Sequence, residues 1–370
     1  MRTPVAKRAT LKALLGALRS GAWILSGSPG AGMATAKLFF LGSIQQKAYL
    51  AHMFFGDSCD EVSLGKLDLV RAMIRMHFNR DKCDLALIEG AEVHRRLYQG
   101  ARDFFIPIWL KSKVELPLVP MSGSAKDDWR RARRAHLNYH VTTDKDALLD
   151  FHRAMYLPTL AARHGESAIP IDEKAMMQAV RNNRCELLVV SQAEANIAGA
   201  LILRESMPRI WANGIRDADP RLWKEGAIAA TYMFSAQHLA AQGHKQMHMG
   251  MSRAFLNDGV LRYKTKWNHR IIGCDTNGFV LKMLRTSAGT RALLAANPFV
   301  HLGEDGLKGA VFVAGDVVEP PDSSQRTLSD LSVDGLAGMD LYSVRQGGVT
   351  CLAPRSASSV RVPVCGGAVA

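Results

Sequence analysis

The sequence contains no apolar run near the roughly 20 residues that a helix needs to cross a bilayer. Ala22 to Ile24 and Ala31 to Leu41 are too short, and Gly, Ser and Lys interrupt them. No integral membrane span is therefore expected. Arg2, Lys7, Arg8, Lys12 and Arg19 make the start basic, but no apolar stretch ending in a small-residue cleavage site follows, so a cytoplasmic location is expected. The six cysteines (Cys59, Cys83, Cys185, Cys274, Cys351 and Cys365) lack C-x-x-C spacing. That pattern argues against a zinc site and a disulfide framework, and no bound metal is expected. There is no Gly-x-Ser-x-Gly nucleophile elbow, so nothing suggests a covalent enzyme intermediate.

The chain has 370 residues, 48% of them hydrophobic, enough for two domains or one large core with extensions. Its formal charge is +13 and its pI near 9.6. A basic protein attracts anions at long range, whether phosphorylated cofactors, anionic glycans, tRNA or lipid surfaces.

Lys37 to Gly42 and Ala48 to Gly56 read as short apolar strands that could pair. Leu64 to Met76 has helical spacing. Cys83 to Glu89 reads as a buried strand, and Phe104 to Leu110 as another, with Pro107 favouring an edge. Asp127 to Arg134 reads as a helix with acids first and cations later, as the helix dipole prefers. Tyr139 to Thr142 then opens a new unit. Helices over Asp144 to His164, broken near Pro158, and over Asp172 to Asn182 follow it. Glu186 to Val190, Ala198 to Arg204 and Arg209 to Ile215 form an antiparallel meander. A helix from about Gly226 to Ala241 ends at Gly243. Lys245-Gln246-Met247-His248-Met249 alternates as a strand and leads into a short helix carrying Tyr263 and Lys264. Arg270 to Gly273 and Phe279 to Leu281 are expected to form a hairpin across Asn277-Gly278. From Glu319 onward the chain is Ser-, Gly- and Val-rich, and weak order is expected. No residue-level internal repeat is visible.

This order of elements, with Tyr263-Lys264-x-x-Trp267 after the strand at 245, resembles the acyl-CoA-binding core of the GNAT superfamily of N-acyltransferases. Ser252-Arg253-x-Phe255-Leu256-Asn257-Asp258-Gly259 looks similar to a bacterial subgroup related to the Fem-type peptidyltransferases and exopolysaccharide-associated acyltransferases. The resemblance implies a mixed α/β GNAT fold, as two tandem domains with the first degenerate. The expected parts are a basic segment (1–35), a degenerate domain (36–125), an acyltransferase domain (126–318) and a tail (319–370). It also implies an N-acyltransferase that moves an acyl group from acyl-CoA to an amine on an amino sugar, peptide or small metabolite. Two alternatives stand beside it. One is a Fem-like enzyme using aminoacyl-tRNA. The other is a non-catalytic module in envelope polysaccharide assembly.

Acyl transfer from a thioester needs a base for the amine, donors for the oxyanion, a proton for the thiolate and a seat for the pyrophosphate. By resemblance, Tyr263 is the proton donor, with a core tyrosine as the plainer reading. Asp258 is a base, an amine anchor or a helix cap. His248 is a base or a satisfied interior histidine. Backbone groups near Trp211, Ala212 and Asn213 are expected to serve the oxyanion. Gly226 and Ala227 would hold the pyrophosphate at a helix start. The sequence departs there from the family's Arg/Gln-x-x-Gly-x-Gly/Ala, with Lys224 as a substitute charge. Arg163 and His164 are expected beside the acceptor, with Ser252 and Asn257 also facing substrate. Arg253 and Lys264 would engage phosphate or carboxylate, or be solvated surface charges. Asp127 to Arg134, rich in arginine, is a solvated linking helix or a tRNA contact. No zinc finger or RNP motif accompanies it.

Overall fold

The computed structural model describes residues 20–79, 81–91, 103–119, 123–165, 170–313, 322–345 and 348–356. The first stretch of chain builds β1 (Ser20–Gly27), β2 (Ala36–Gly42), α1 (Ile44–Phe55), β3 (Asp60–Leu67), α2 (Leu69–Phe78), β4 (Leu85–Ala91) and β5 (Phe104–Pro107). Next come β6 (Trp109–Glu115), α3 (Gly123–Arg134), β7 (Asn138–Thr142), α4 (Lys145–Asp150), a π-helical stretch over Phe151–Tyr156, α5 (Leu157–His164) and α6 (Glu173–Arg181). β8 (Cys185–Gln192), β9 (Ala195–Leu203) and β10 (Arg209–Ile215) form the meander. After it run α7 (Pro220–Lys224), α8 (Ala227–Ala241), β11 (Gln246–Arg253), α9 (Gly259–Thr265), β12 (Arg270–Cys274) and β13 (Asn277–Met283). The last described part holds α10 (Ala288–Ala296), β14 (Phe299–Gly303), β15 (Gly306–Phe312), α11 (Asp322–Leu331), β16 (Gly338–Arg345) and β17 (Gly348–Ser356).

The middle sheet has the order β12-β6-β11-β10-β9-β8-β7. Its strands β7 to β10 are antiparallel neighbours, and β10 runs parallel to β11. With α8 between β10 and β11, this is the element order that the GNAT resemblance implies. α8 is buried on nearly every side (Ala227, Ile228, Ala230, Tyr232, Met233, Ala236, Leu239), as a helix apolar all round should be. It packs on one face of the sheet with α3. The π-helical stretch and α6 cover the other face through Phe151, Met155 and Met176. The chain break expected near Pro158 takes the form of that π stretch. Proline has no N–H and its ring clashes with the carbonyl four residues back, and the wider turn absorbs both.

The first sheet, β3-β1-β2-β4-β13-β5, repeats the plan. Its parallel pair β2–β4 is followed by an antiparallel strand, β13, that comes from the other half of the chain. Reciprocally, β6 enters the middle sheet between β11 and β12. The two crossings lie side by side: Ile108 N donates to Asn277 O (2.9 Å) and Asp275 N donates to Trp109 O (2.8 Å). The fold is therefore a tandem of two mixed sheets joined by an exchange of strands.

Several expectations are corrected here. Ala48 to Gly56 lies in α1, not a strand: Tyr49, Leu50 and Phe54 bury one helical face, and the Ser43 side chain caps the start. The helix expected from Leu64 starts at Leu69, where Asp68 accepts from Arg71 N (2.9 Å). β12 and β13 do not form a hairpin, because pairing with β6 and with β4 and β5 outweighs the Asn-Gly turn signal. Residues after 319 include a helix and two strands of a third sheet, β14-β15-β16-β17. Their order was hidden because β16 is buried on both faces and so does not alternate (Met339, Leu341, Val344). Cys365 lies outside the described residues, and β1 falls within the basic N-terminal segment.

Candidate functional site

β10 and β11 meet at a single register pair, Arg209↔His248, where His248 N also donates to Pro208 O (2.8 Å). Beyond it the strands part. β11 bulges against β6 between His248 and Met251, and Gly250 sits at φ 77°. A side chain there would put its Cβ 2.9 Å from the Ile210 carbonyl oxygen, so the bend needs glycine for its dihedral and its space. Lys264, from α9, pins the bend. Its ammonium donates to Gly250 O (2.9 Å), Met251 O (2.8 Å) and Ser252 Oγ (2.9 Å). The side chain is 1% exposed, and burial draws its pKa down to about 7. Lys264 is thus neither a surface charge nor a free phosphate ligand, although it lines the cavity.

His248 belongs to the same bend. Its Nδ1 accepts from Gly250 N (2.9 Å), and burial, reinforced by Lys264, lowers its pKa to about 3. It is a neutral ring that holds a turn and does not line the cavity, so the expectation of a catalytic base there is corrected.

A cavity of about 370 Å³ fills the gap between the parted strands. β10 contributes Arg209 to Asn213 and β11 contributes Met249 to Arg253. A second cavity of about 530 Å³ adjoins it. Tyr49, Arg163, Tyr232, Asp258 and Val260 line both. The structure brings Trp211, Ala212, Asn213, Ser252, Arg253, Asp258, Lys264 and Arg163 to the first cavity, and Tyr263 and Asn257 to the second. α5 ends at His164, whose side chain lies outside the described residues.

Asp258 caps α9, its Oδ1 accepting from Val260 N (3.1 Å) and Leu261 N (2.9 Å). Burial also raises its carboxyl pKa, which suits a group that exchanges a proton. Tyr263 packs beside Tyr232 (ring centroids 5.7 Å apart), and burial pushes its phenol pKa up, so it stays protonated. Asn257 donates to Ala296 O (3.2 Å).

The phosphate seat expected at Gly226, Ala227 and Lys224 is corrected. Gly226 adopts φ 90° as the N-cap of α8, and a Cβ there would meet Asp128 O of α3 at 3.1 Å. Gly226 and Ala227 are both buried, so α3 covers the terminus that the resemblance leaves open. Lys224 is exposed and lines neither cavity.

The sequence reading missed Tyr49, Trp109, Tyr156 and Tyr232 as parts of the site. Tyr49 was hidden by reading α1 as a strand. Trp109 arrives on the exchanged strand β6, which no local pattern announces. Tyr232 was visible only as a helical core position, yet it lines both cavities. Among the described residues no cluster of His, Cys, Asp and Glu could hold a metal.

No protein-family profile and no curated protein matches the chain. Among solved structures, L-PGS from Bacillus licheniformis is similar at 13% identity, covering 80% of this chain and 96% of that one, with a TM-score of 0.36. A GCN5-related N-acetyltransferase from Kribbella flavida is similar at 10% identity, covering 82% and 69%, with a TM-score of 0.31. One from Anabaena variabilis shows 11% identity, covering 78% and 63%, with a TM-score of 0.31.

Proposed function

We propose that the chain transfers an acyl group to an amine by direct attack on an activated donor bound between β10 and β11. One observation carries the reading: a parallel strand pair joined at one point, held apart by Gly250 and Lys264, with a cavity in the gap. Strands that part leave backbone N–H groups facing the gap, where they serve an oxyanion. Tyr263 supplies the proton for the leaving group, and Asp258 anchors the amine or takes its proton. The bulk donor is acyl-CoA or an aminoacyl-tRNA.

The aminoacyl-tRNA reading is favoured by α3. That helix occupies the pyrophosphate end of α8 and turns Arg130, Arg131, Arg133 and Arg134 to solvent. Arg130 and Arg131 pair with Asp127 and Asp128, while Arg133 and Arg134 have no carboxylate partner among the described residues. The test presents the folded protein with acetyl-CoA, longer acyl-CoAs and charged tRNA in a label-transfer assay with a panel of amines. RNA binding that falls steeply with salt, together with transfer from charged tRNA, supports the second donor. Transfer from an acyl-CoA supports the first. A folded protein that binds neither leaves a non-catalytic module.

A further inference from the structure

Arg253 is a buried cation with no ion-pair partner among the described residues. It is 7% exposed, and no carboxylate of a described residue forms an ion pair with it, Asp258 and Glu89 acting only at longer range. Its guanidinium carbon lies 3.9 Å from the centre of the Tyr49 ring and 4.0 Å from that of Trp109, so the rings cover its flat surface. Nη1 donates to Gln46 Oε1 (2.8 Å), a neutral acceptor. Three elements hold the group in place: α1 supplies Tyr49 and Gln46, β6 supplies Trp109, and β11 carries the arginine itself. Arg253 lines the first cavity, and the bond to Gln46 is the one hydrogen bond its guanidinium makes among the described residues. Burying a cation with no counter-charge is costly, and such groups usually find one.

The other charges do not fill this role. Asp258 and Glu89 act on Arg253 only at longer range; the Asp258 Oδ1 is taken by the start of α9 and the Glu89 Oε2 by Ser43. Lys264 has its three donors occupied, and Arg209 pairs with Glu205 (3.0 Å). Arg163 is the second cation lining the cavity without a carboxylate partner among the described residues, its guanidinium 4.2 Å from the centre of the Trp223 ring. The Tyr49 hydroxyl, buried in the same wall, also lacks a hydrogen-bond partner among the described residues.

We propose that the acceptor of the acyl group carries an oxyanion, a phosphate or a carboxylate, which docks on the open edge of Arg253 with Arg163 as second cation. The inference rests on the acyl-transfer reading of this cleft. A planar fork with its faces stacked and its edge free matches the paired oxygens of these groups, which a lysine at the same place would not. The subsite needs both halves of the tandem, since α1 and β6 build it around a residue of β11.

The experiment uses the full chain and reads binding without any donor, by calorimetry and by the fluorescence of the protein, which Trp109 makes sensitive to the site. The probes are glycerol 3-phosphate, succinate, and phosphatidylglycerol vesicles set against phosphatidylcholine vesicles, with glycerol as the neutral control. At least one oxyanion probe should bind wild type, and glycerol should not. Arg253→Met should weaken that probe about tenfold or more. Arg253→Lys should recover only part of the loss, and Arg163→Gln should weaken it severalfold. The vesicle and soluble arms separate a lipid phosphate from a free one. If Arg253→Met does not fold, Arg253→Lys and Arg163→Gln decide. Absence of oxyanion binding, or affinity unchanged in the folded variants, overturns the proposal. Arg253-dependent binding with no transfer from any donor would sink the transfer reading alone. Transfer at the wild-type rate by Arg253→Met would sink the subsite alone.

Discussion

Replacing Lys264 by methionine is the sharpest perturbation of the bend that opens the cleft. It leaves two carbonyls, Gly250 O and Met251 O, without their donor. Each buried acceptor left unsatisfied costs about 1–3 kcal/mol, so the loss is roughly 2–6 kcal/mol. Against it stands relief, because wild type holds a buried ammonium whose pKa burial has drawn from 10.5 to about 7. At low pH the unfavourable burial of that charge amounts to roughly 5 kcal/mol, at about 1.4 kcal/mol per pKa unit. The two effects nearly cancel near pH 6. Between the folded pKa and the ordinary lysine value the unfolded chain binds more protons than the folded one, so wild-type stability rises with pH in that window. The variant lacks this group and its slope. Urea unfolding of both proteins should show wild type pulling ahead by roughly 2 kcal/mol between pH 7 and pH 9. A gap that stays flat across that range refutes the reasoning.

Gly250→Ala forces a side chain into a left-handed dihedral 2.9 Å from Ile210 O. It should lose about 2–3 kcal/mol in urea unfolding, and an unchanged midpoint would contradict the need for glycine there. Tyr263→Phe should slow transfer by about 100-fold or more with a melting temperature near wild type, and equal rates would remove the phenol from the chemistry. Gly226→Ala should cost about 1–2 kcal/mol of stability while leaving the donor KM unchanged, because α3 already covers that helix start. A raised KM in a protein of unchanged stability would put the donor back at α8.

The middle sheet was legible because its signals are local. The meander strands are short apolar runs joined by polar turns, and α8 ends at a glycine with positive φ. The long-range features were not. Nothing near Trp109 or Asn277 announces that β6 and β13 trade sheets, since the pairing energy comes from partners far along the chain. Tyr49 reached the site only through that arrangement. Within the site, the sequence marked Asp258, Tyr263 and Arg253 by their place in one motif. It misread Lys264 and left His248 open between a base and an interior histidine, because a charged or titratable residue on a strand or helix reads the same whether it faces substrate or a bent backbone. Their three-way bonding to the bulge settles which. The weak phosphate-loop pattern at Gly226 was a real signal, explained by the α3 backbone 3.1 Å from its would-be Cβ.

Val260 lines both cavities where they adjoin and lies outside the hydrophobic core, so a larger side chain there fills the cleft without disturbing the fold. Transfer of a labelled acyl group by wild type and by Val260→Trp, from acyl-CoA and from charged tRNA, is the most direct test of chemistry between β10 and β11. The account predicts transfer by wild type from one donor class, and a loss of at least about 100-fold in a variant that melts within a few degrees of it. Equal transfer by the two proteins, or none by wild type from either donor, would contradict it.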